Sequence, residues 1–211
     1  MHIYAFGSIC RGEIDSFSDI DMLAIVNGRD ERFNPKDYSI YSYSRINEIW
    51  EEGNPFAWHL FLESKLVYSS DSSDYLQCIG EPNTYKSGLA DCKKFRHIFL
   101  SAKESIETSD LTEIFDLSSV FLAIRNFATC YSLYCGEKPN FSRNSARRID
   151  THNIPIDDVT YELLERSRVL CTRGAGELLN PNDIGKVKYE LNNIGSWMDE
   201  IIIIISGDKH E

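Results

Sequence analysis

The sequence is short of positive charge. Twenty-two Lys and Arg stand against thirty-three Asp and Glu in 211 residues, a net charge of −11. A protein that coats polyphosphate backbones over a long footprint carries the opposite balance, so general nucleic-acid binding is not expected. Long apolar runs are also missing. Ile201 to Ile205 is only five residues, far short of a membrane span, and reads as the buried end of a last helix. The opening Met-His-Ile-Tyr-Ala-Phe has neither a basic segment nor a long apolar one, so no signal peptide and no membrane partner are expected. No two of the six cysteines (10, 78, 92, 130, 135 and 171) have Cys-x-x-Cys spacing. A chain this size needs no disulfide staples, and reduced thiols in a cytoplasmic protein are the expectation. Internal repeats and low-complexity tracts are absent.

What is present suits a folded protein. Hydrophobic residues make up 42% of the chain, with eleven Phe, eleven Tyr and three Trp. That is enough for one large domain or two small ones. The first third alternates strand and helix signals. Strands are predicted at Ile3–Phe6, Ile20–Val26, Tyr38–Tyr43 and Lys65–Tyr68, with helices over 45–52 and 56–63. After a Ser/Asp loop at 69–74 helical periodicity takes over, predicting helices over 88–108, 112–135, 157–171 and 182–205. Gly136 and Pro139 stop the second of these, and the Asp-Asp at 157–158 caps the third. The fold class expected is α+β, a small mixed sheet with helices over residues 1–88, followed by an all-α bundle over 89–211.

The most informative stretch runs from Gly7 to Asp21. Asp19 and Asp21 sit two apart at the start of a predicted strand, so both carboxylates project from one face, with Ile20 turned into the core. Two such charges repel, and a divalent cation turns that cost into a site. Hard oxygen ligands with open positions suit Mg²⁺. Gly7-Ser8 after the first strand permits a tight turn with close backbone approach, and the helix start that follows offers free N–H groups to an anion. Arg11-Gly12 adds a charge or shapes the turn. Each feature alone is more often structural; together they fall within fifteen residues in a strand–turn–helix–strand context.

Gly7-Ser8, Arg11-Gly12 and Ser18-Asp19-Ile20-Asp21 resemble the signature of the polymerase-beta-like nucleotidyltransferases, in particular minimal and kanamycin nucleotidyltransferase-like members. The resemblance covers roughly residues 3 to 68. It implies that Asp19 and Asp21 bind Mg²⁺, that the Gly-Ser turn holds the triphosphate with Arg11, Gly12 and Ser18 beside it, and that a nucleoside monophosphate passes from an NTP, ATP being favoured, to an acceptor hydroxyl. It also implies a third carboxylate on a later strand. The strand 38–43 contains none, so Asp37, at its start and on the face of Ser39 and Tyr41, is the candidate. Glu63, four residues from His59 on one helix face, is the weaker alternative and reads as a helix-end surface acid.

Arg125-Asn126, with Cys130 five residues after Arg125, resembles the Arg-Asn-x3-His motif of helical HEPN ribonucleases. A thiol replaces the imidazole that would exchange protons near neutrality, so this resemblance implies the helical fold rather than the nuclease. Arg143, Arg147 and Arg148 form the one locally basic segment, with Arg143 and Arg147 expected on one helix face. They pair either with the chain's surplus carboxylates or with a phosphate. The acceptor is unnamed by the sequence: a small molecule, for which the acidic balance favours a cation such as an aminoglycoside, or a protein. A homodimer is admitted. The alternative function is a catalytically weakened nucleotide-binding or toxin–antitoxin-type regulatory protein.

Overall fold

The computed structural model describes residues 1–13, 20–136 and 139–207. The chain divides into two units, Met1–Lys86 and Ser87–Glu211. The first is built on a four-stranded sheet. Strands β1 (His2–Phe6), β2 (Asp21–Val26), β3 (Ser39–Ser42) and β4 (Lys65–Ser69) lie in the order β3-β2-β1-β4. β1 runs antiparallel to β2 and β4, and β2 runs parallel to β3, so the sheet is mixed. Alternation decides the faces. Tyr4, Phe6, Leu23 and Ile25 turn to one side, where Ile46, Ile49, Trp50, Ala57, Leu60 and Leu76 close the core. Ala24 and Val26 turn to the other side, under Phe33.

The core-side helices are α2 (Tyr43–Glu51), α3 (Pro55–Glu63) and α4 (Tyr75–Ile79), while a single turn, α1 (Ser8–Arg11), follows β1. α2 begins two residues before the predicted start, because the Ser42 side chain accepts from the Arg45 N–H at 3.1 Å and so caps the helix there. The third strand is accordingly shorter than predicted and loses Tyr43. Its other end loses Tyr38, whose ring packs edge-on against Phe33 at 5.0 Å. α4 leaves no signal in the sequence. It is five residues long, too short for a periodicity to show, and is capped by Asp74.

The second unit is helical: α5 (Gly88–Thr108), α6 (Glu113–Tyr134), α7 (Asp158–Arg173) and α8 (Pro181–Gly207), with two short 3₁₀ turns at Ser145–Arg147 and Asp150–His152. α6 is the central element and is buried on nearly all sides, through Leu117, Val120, Phe121, Ile124, Phe127 and Ala128 among others. Arg143 and Arg147 do not share a helix face, since only residues 145–147 are helical there. Among the described residues, no helix is long and apolar enough to cross a membrane. The protein thus has an α+β architecture, a small mixed sheet with helices followed by a helical region.

Candidate functional site

The site is assembled where β1 ends. Phe6 pairs with Asp21, so the first residue of β2 lies beside the turn that leaves β1. Gly7 makes that turn with φ 76° and ψ −144°, a conformation open in practice only to glycine. A Cβ there would lie 2.5 Å from Asp21 Oδ2, so the missing side chain leaves the space the carboxylate fills. The α1 turn follows and closes at Gly12, in the left-handed region at φ 73°. Ser8 is half-buried in it. One turn has little macrodipole. Any anion here would meet individual N–H groups rather than the field expected of a full helix.

Parallel pairing of β2 with β3 sets Leu23 beside Ser39. Two residues back along each chain lie Asp21, the first residue of β2, and Asp37, in the turn that precedes β3. Asp37 is not itself in the strand. It ends a turn in which its N–H donates to the Asn34 carbonyl at 2.9 Å, and it is exposed. Asp21 and Asp37 line one cavity of about 600 Å³, together with Lys36, Tyr38 and Ser39. Ile20 lines it too and is 60% exposed, not turned into the core as expected, because it precedes the strand and escapes its alternation. Asp19 and Ser18 lie outside the described residues.

Arg11 points elsewhere. Its guanidinium forms an ion pair with Glu63, at the end of α3, and donates to Glu13 at 2.7 Å. His59 also lies against Glu63, at 3.0 Å. Glu63 is therefore not a surface acid: its side chain is 14% exposed and joins α1 to α3. Burial pushes the Glu63 carboxyl up, but His59 and Arg11 outweigh it and hold the group below its ordinary value. The i, i+4 spacing of His59 and Glu63 was the sequence signal for half of this cluster. Nothing in the sequence linked it to Arg11.

In the helical unit, Arg125 Nη2 donates to the Phe141 carbonyl at 2.9 Å, and Cys130 is buried. Arg143 pairs with Glu165 at 3.1 Å, and Arg147 with Asp158.

The lining of the first cavity includes hard oxygen ligands, the carboxylates of Asp21 and Asp37 and the hydroxyl of Ser39, beside the ammonium of Lys36. That set fits a small divalent cation, which keeps positions open for water or phosphate. Among the described residues, no group of three or more His, Cys, Asp or Glu completes a metal cluster.

The family model of the nucleotidyltransferase domain matches residues 2–149. The match runs well beyond residue 68, through α5 and α6. The domain implies transfer of a nucleoside monophosphate and a nucleoside triphosphate as substrate. No curated protein matches the chain.

Proposed function

Because the chain belongs to the nucleotidyltransferase domain family, we propose that it is a Mg²⁺-dependent enzyme that moves the nucleoside monophosphate of ATP to an acceptor hydroxyl. The observation that carries this reading is the pair of carboxylates, Asp21 and Asp37, on one cavity beside Gly7. Gly7 and Ser8 hold the triphosphate through backbone N–H groups and the hydroxyl. Asp21, with Asp19, holds Mg²⁺, which supplies charge neutralisation at the reacting phosphate. Asp37 accepts the proton of the acceptor hydroxyl. The acceptor oxygen then bonds to the α-phosphorus, the bond to the bridging oxygen breaks, and pyrophosphate leaves. Gly12 shapes the turn, and Arg11 acts through Glu63 to fix it.

We assign the transfer chemistry to residues 1–88 and acceptor recognition to residues 89–211, HEPN-like in fold alone. A cytoplasmic setting is supported by Cys10, Cys78, Cys92 and Cys171 standing as thiols rather than disulfides. Exposed Leu66, Val67 and Tyr68 on the edge strand β4 support a homodimer.

One observation favours a second reading, a nucleotide-binding module without turnover: Asp37, the candidate base, stands in a turn before β3 and not in the strand. Two measurements separate the readings. Labelled ATP is incubated with aminoglycosides and with the protein itself as acceptors, and MgATP binding is followed by calorimetry. Asp37→Ala should lower transfer by about a hundredfold or more, the scale of general-base loss, with ATP affinity nearly constant. Asp21→Asn should lose both. Binding without transfer in the parent protein would establish the module instead.

A further inference from the structure

A second cavity, of about 390 Å³, opens within the helical unit. Its lining is mixed in chemistry. Arg147, Arg148 and Asn144 line it, and so do the apolar Ile154 and Ile156. In a chain with thirty-three acidic residues, the cavity's lining contains a single carboxylate, Asp158.

Local structure fixes the cationic part of the lining. The 3₁₀ turn Ser145–Arg147 is held by the Ile154 N–H donating to the Ala146 carbonyl at 2.9 Å. The Arg147 guanidinium carbon lies 4.7 Å from the centre of the Tyr161 ring. Tyr161 is fully buried, and its hydroxyl donates to the Arg143 carbonyl at 2.6 Å. The guanidinium is thereby set over a rigid aromatic face, an arrangement Lys could not reproduce. Its internal counter-ion is Asp158, whose side chain is 86% exposed and can swing into water at little cost. Arg148 is exposed, and neither its guanidinium nor the Asn144 amide has a hydrogen bond or ion pair among the described residues. Asn153, by contrast, is committed to the fold, its Oδ1 accepting from the Ile149 N–H at 2.8 Å.

We propose that this cavity binds a small phosphate monoester. Its phosphoryl group lies against the guanidinia of Arg147 and Arg148 with Asn144 beside it, and its organic body rests on Ile154 and Ile156. Two guanidinia on one cavity offer more N–H donors than the two oxygens of a carboxylate can use, whereas a phosphate dianion has three oxygens and twice the charge. The volume is near the lower end for ligand pockets, which suits a small molecule rather than a polymer. Asp158 holds the place of the anion when none is bound and leaves when one enters.

The test titrates phenyl phosphate into the full chain by calorimetry, with benzoate as the carboxylate arm. Saturable binding of phenyl phosphate, tighter than benzoate, is expected. Arg148→Ala should weaken it by about tenfold, the scale of one charge-assisted contact on a dianion. Asp158→Asn should strengthen it by about threefold, because the competing counter-ion is gone. The affinity should survive Asp21→Asn, which separates this cavity from the nucleotide site. No saturable binding up to roughly 10 mM, where even a very weak complex registers, overturns the proposal. So does an Arg148→Ala protein, folded by circular dichroism, that binds as the parent does.

Discussion

Gly7 and Asp21 share one volume: a Cβ on residue 7 would fall 2.5 Å from Asp21 Oδ2. The strand pairing of Phe6 with Asp21 imposes this closeness, and the absent side chain makes it tolerable. Gly7→Ala therefore meets two obstacles, a backbone at φ 76°, ψ −144° and a carboxylate in the way. Stability should fall by about 1–3 kcal/mol, the cost of a residue forced into a sparsely populated region. MgATP affinity should fall further than that loss explains, since Asp21 must move. Urea unfolding and ATP titration check the two parts; a variant that binds MgATP normally would dissociate Gly7 from the site.

Glu63 ties α1 to α3 and does so as a carboxylate. Glu63→Gln leaves the guanidinium of Arg11 with Glu13 alone, and at neutral pH should cost about 1–3 kcal/mol, the range for an uncompensated buried polar group. The pH dependence has a definite sign. The folded-state pKa is depressed, so the contribution is full above the unfolded carboxylate's titration and is lost as pH falls through the lower folded value. Parent and variant should differ at neutrality and converge in acid. A constant gap across that range would show that shape, not charge, carries the contribution.

Elements with a strong period were legible in the sequence, while features made by long-range pairing were not. The helix Gly88–Thr108 and the strand residues Leu23 to Val26 follow from spacing alone. Asp37 lines the same cavity as Asp21, but it stands in the turn before β3, where the phase of Ser39 and Tyr41 no longer applies. Ile20 shows where that logic ends: alternation holds only while the strand does, and β2 starts one residue later. Glu63 was hidden because residues 11 and 63 meet only once β1 and α3 are packed. The 145–147 segment defeated a helix-face argument, since three residues of 3₁₀ structure have no face to share.

Gly88 opens α5 against the ring of Tyr134 at the end of α6, and a Cβ at 88 would overlap that ring. Gly88→Ala should destabilise the protein by about 1–3 kcal/mol through overpacking, although alanine is the better helix former. On a Tyr134→Gly background, which removes the ring and also the Cβ 2.4 Å from that position, the alanine at 88 should become neutral or favourable. Additive losses in thermal unfolding of the double variant would contradict that steric cause.

Arg125 has a structural task. Its Nη2 donates to the Phe141 carbonyl at 2.9 Å, its own carbonyl accepts from Ser145 Oγ at 2.8 Å, and Thr129 Oγ1 donates to the Asn140 carbonyl at 2.8 Å. Together these bonds bind α6 to the segment that follows it. Cys130 is 4% exposed, so it is out of reach of a phosphodiester as well as lacking the imidazole's titration near neutrality. No metal-independent RNA cleavage is expected from the protein in EDTA, with labelled single-stranded RNA as substrate. Arg125→Ala should instead lower stability by about 1.5–3 kcal/mol, the range for loss of a hydrogen bond made by a charged group. RNA cleavage by the parent that disappears in Arg125→Ala, with unfolding unchanged, would reverse the assignment and make α6 a catalytic helix.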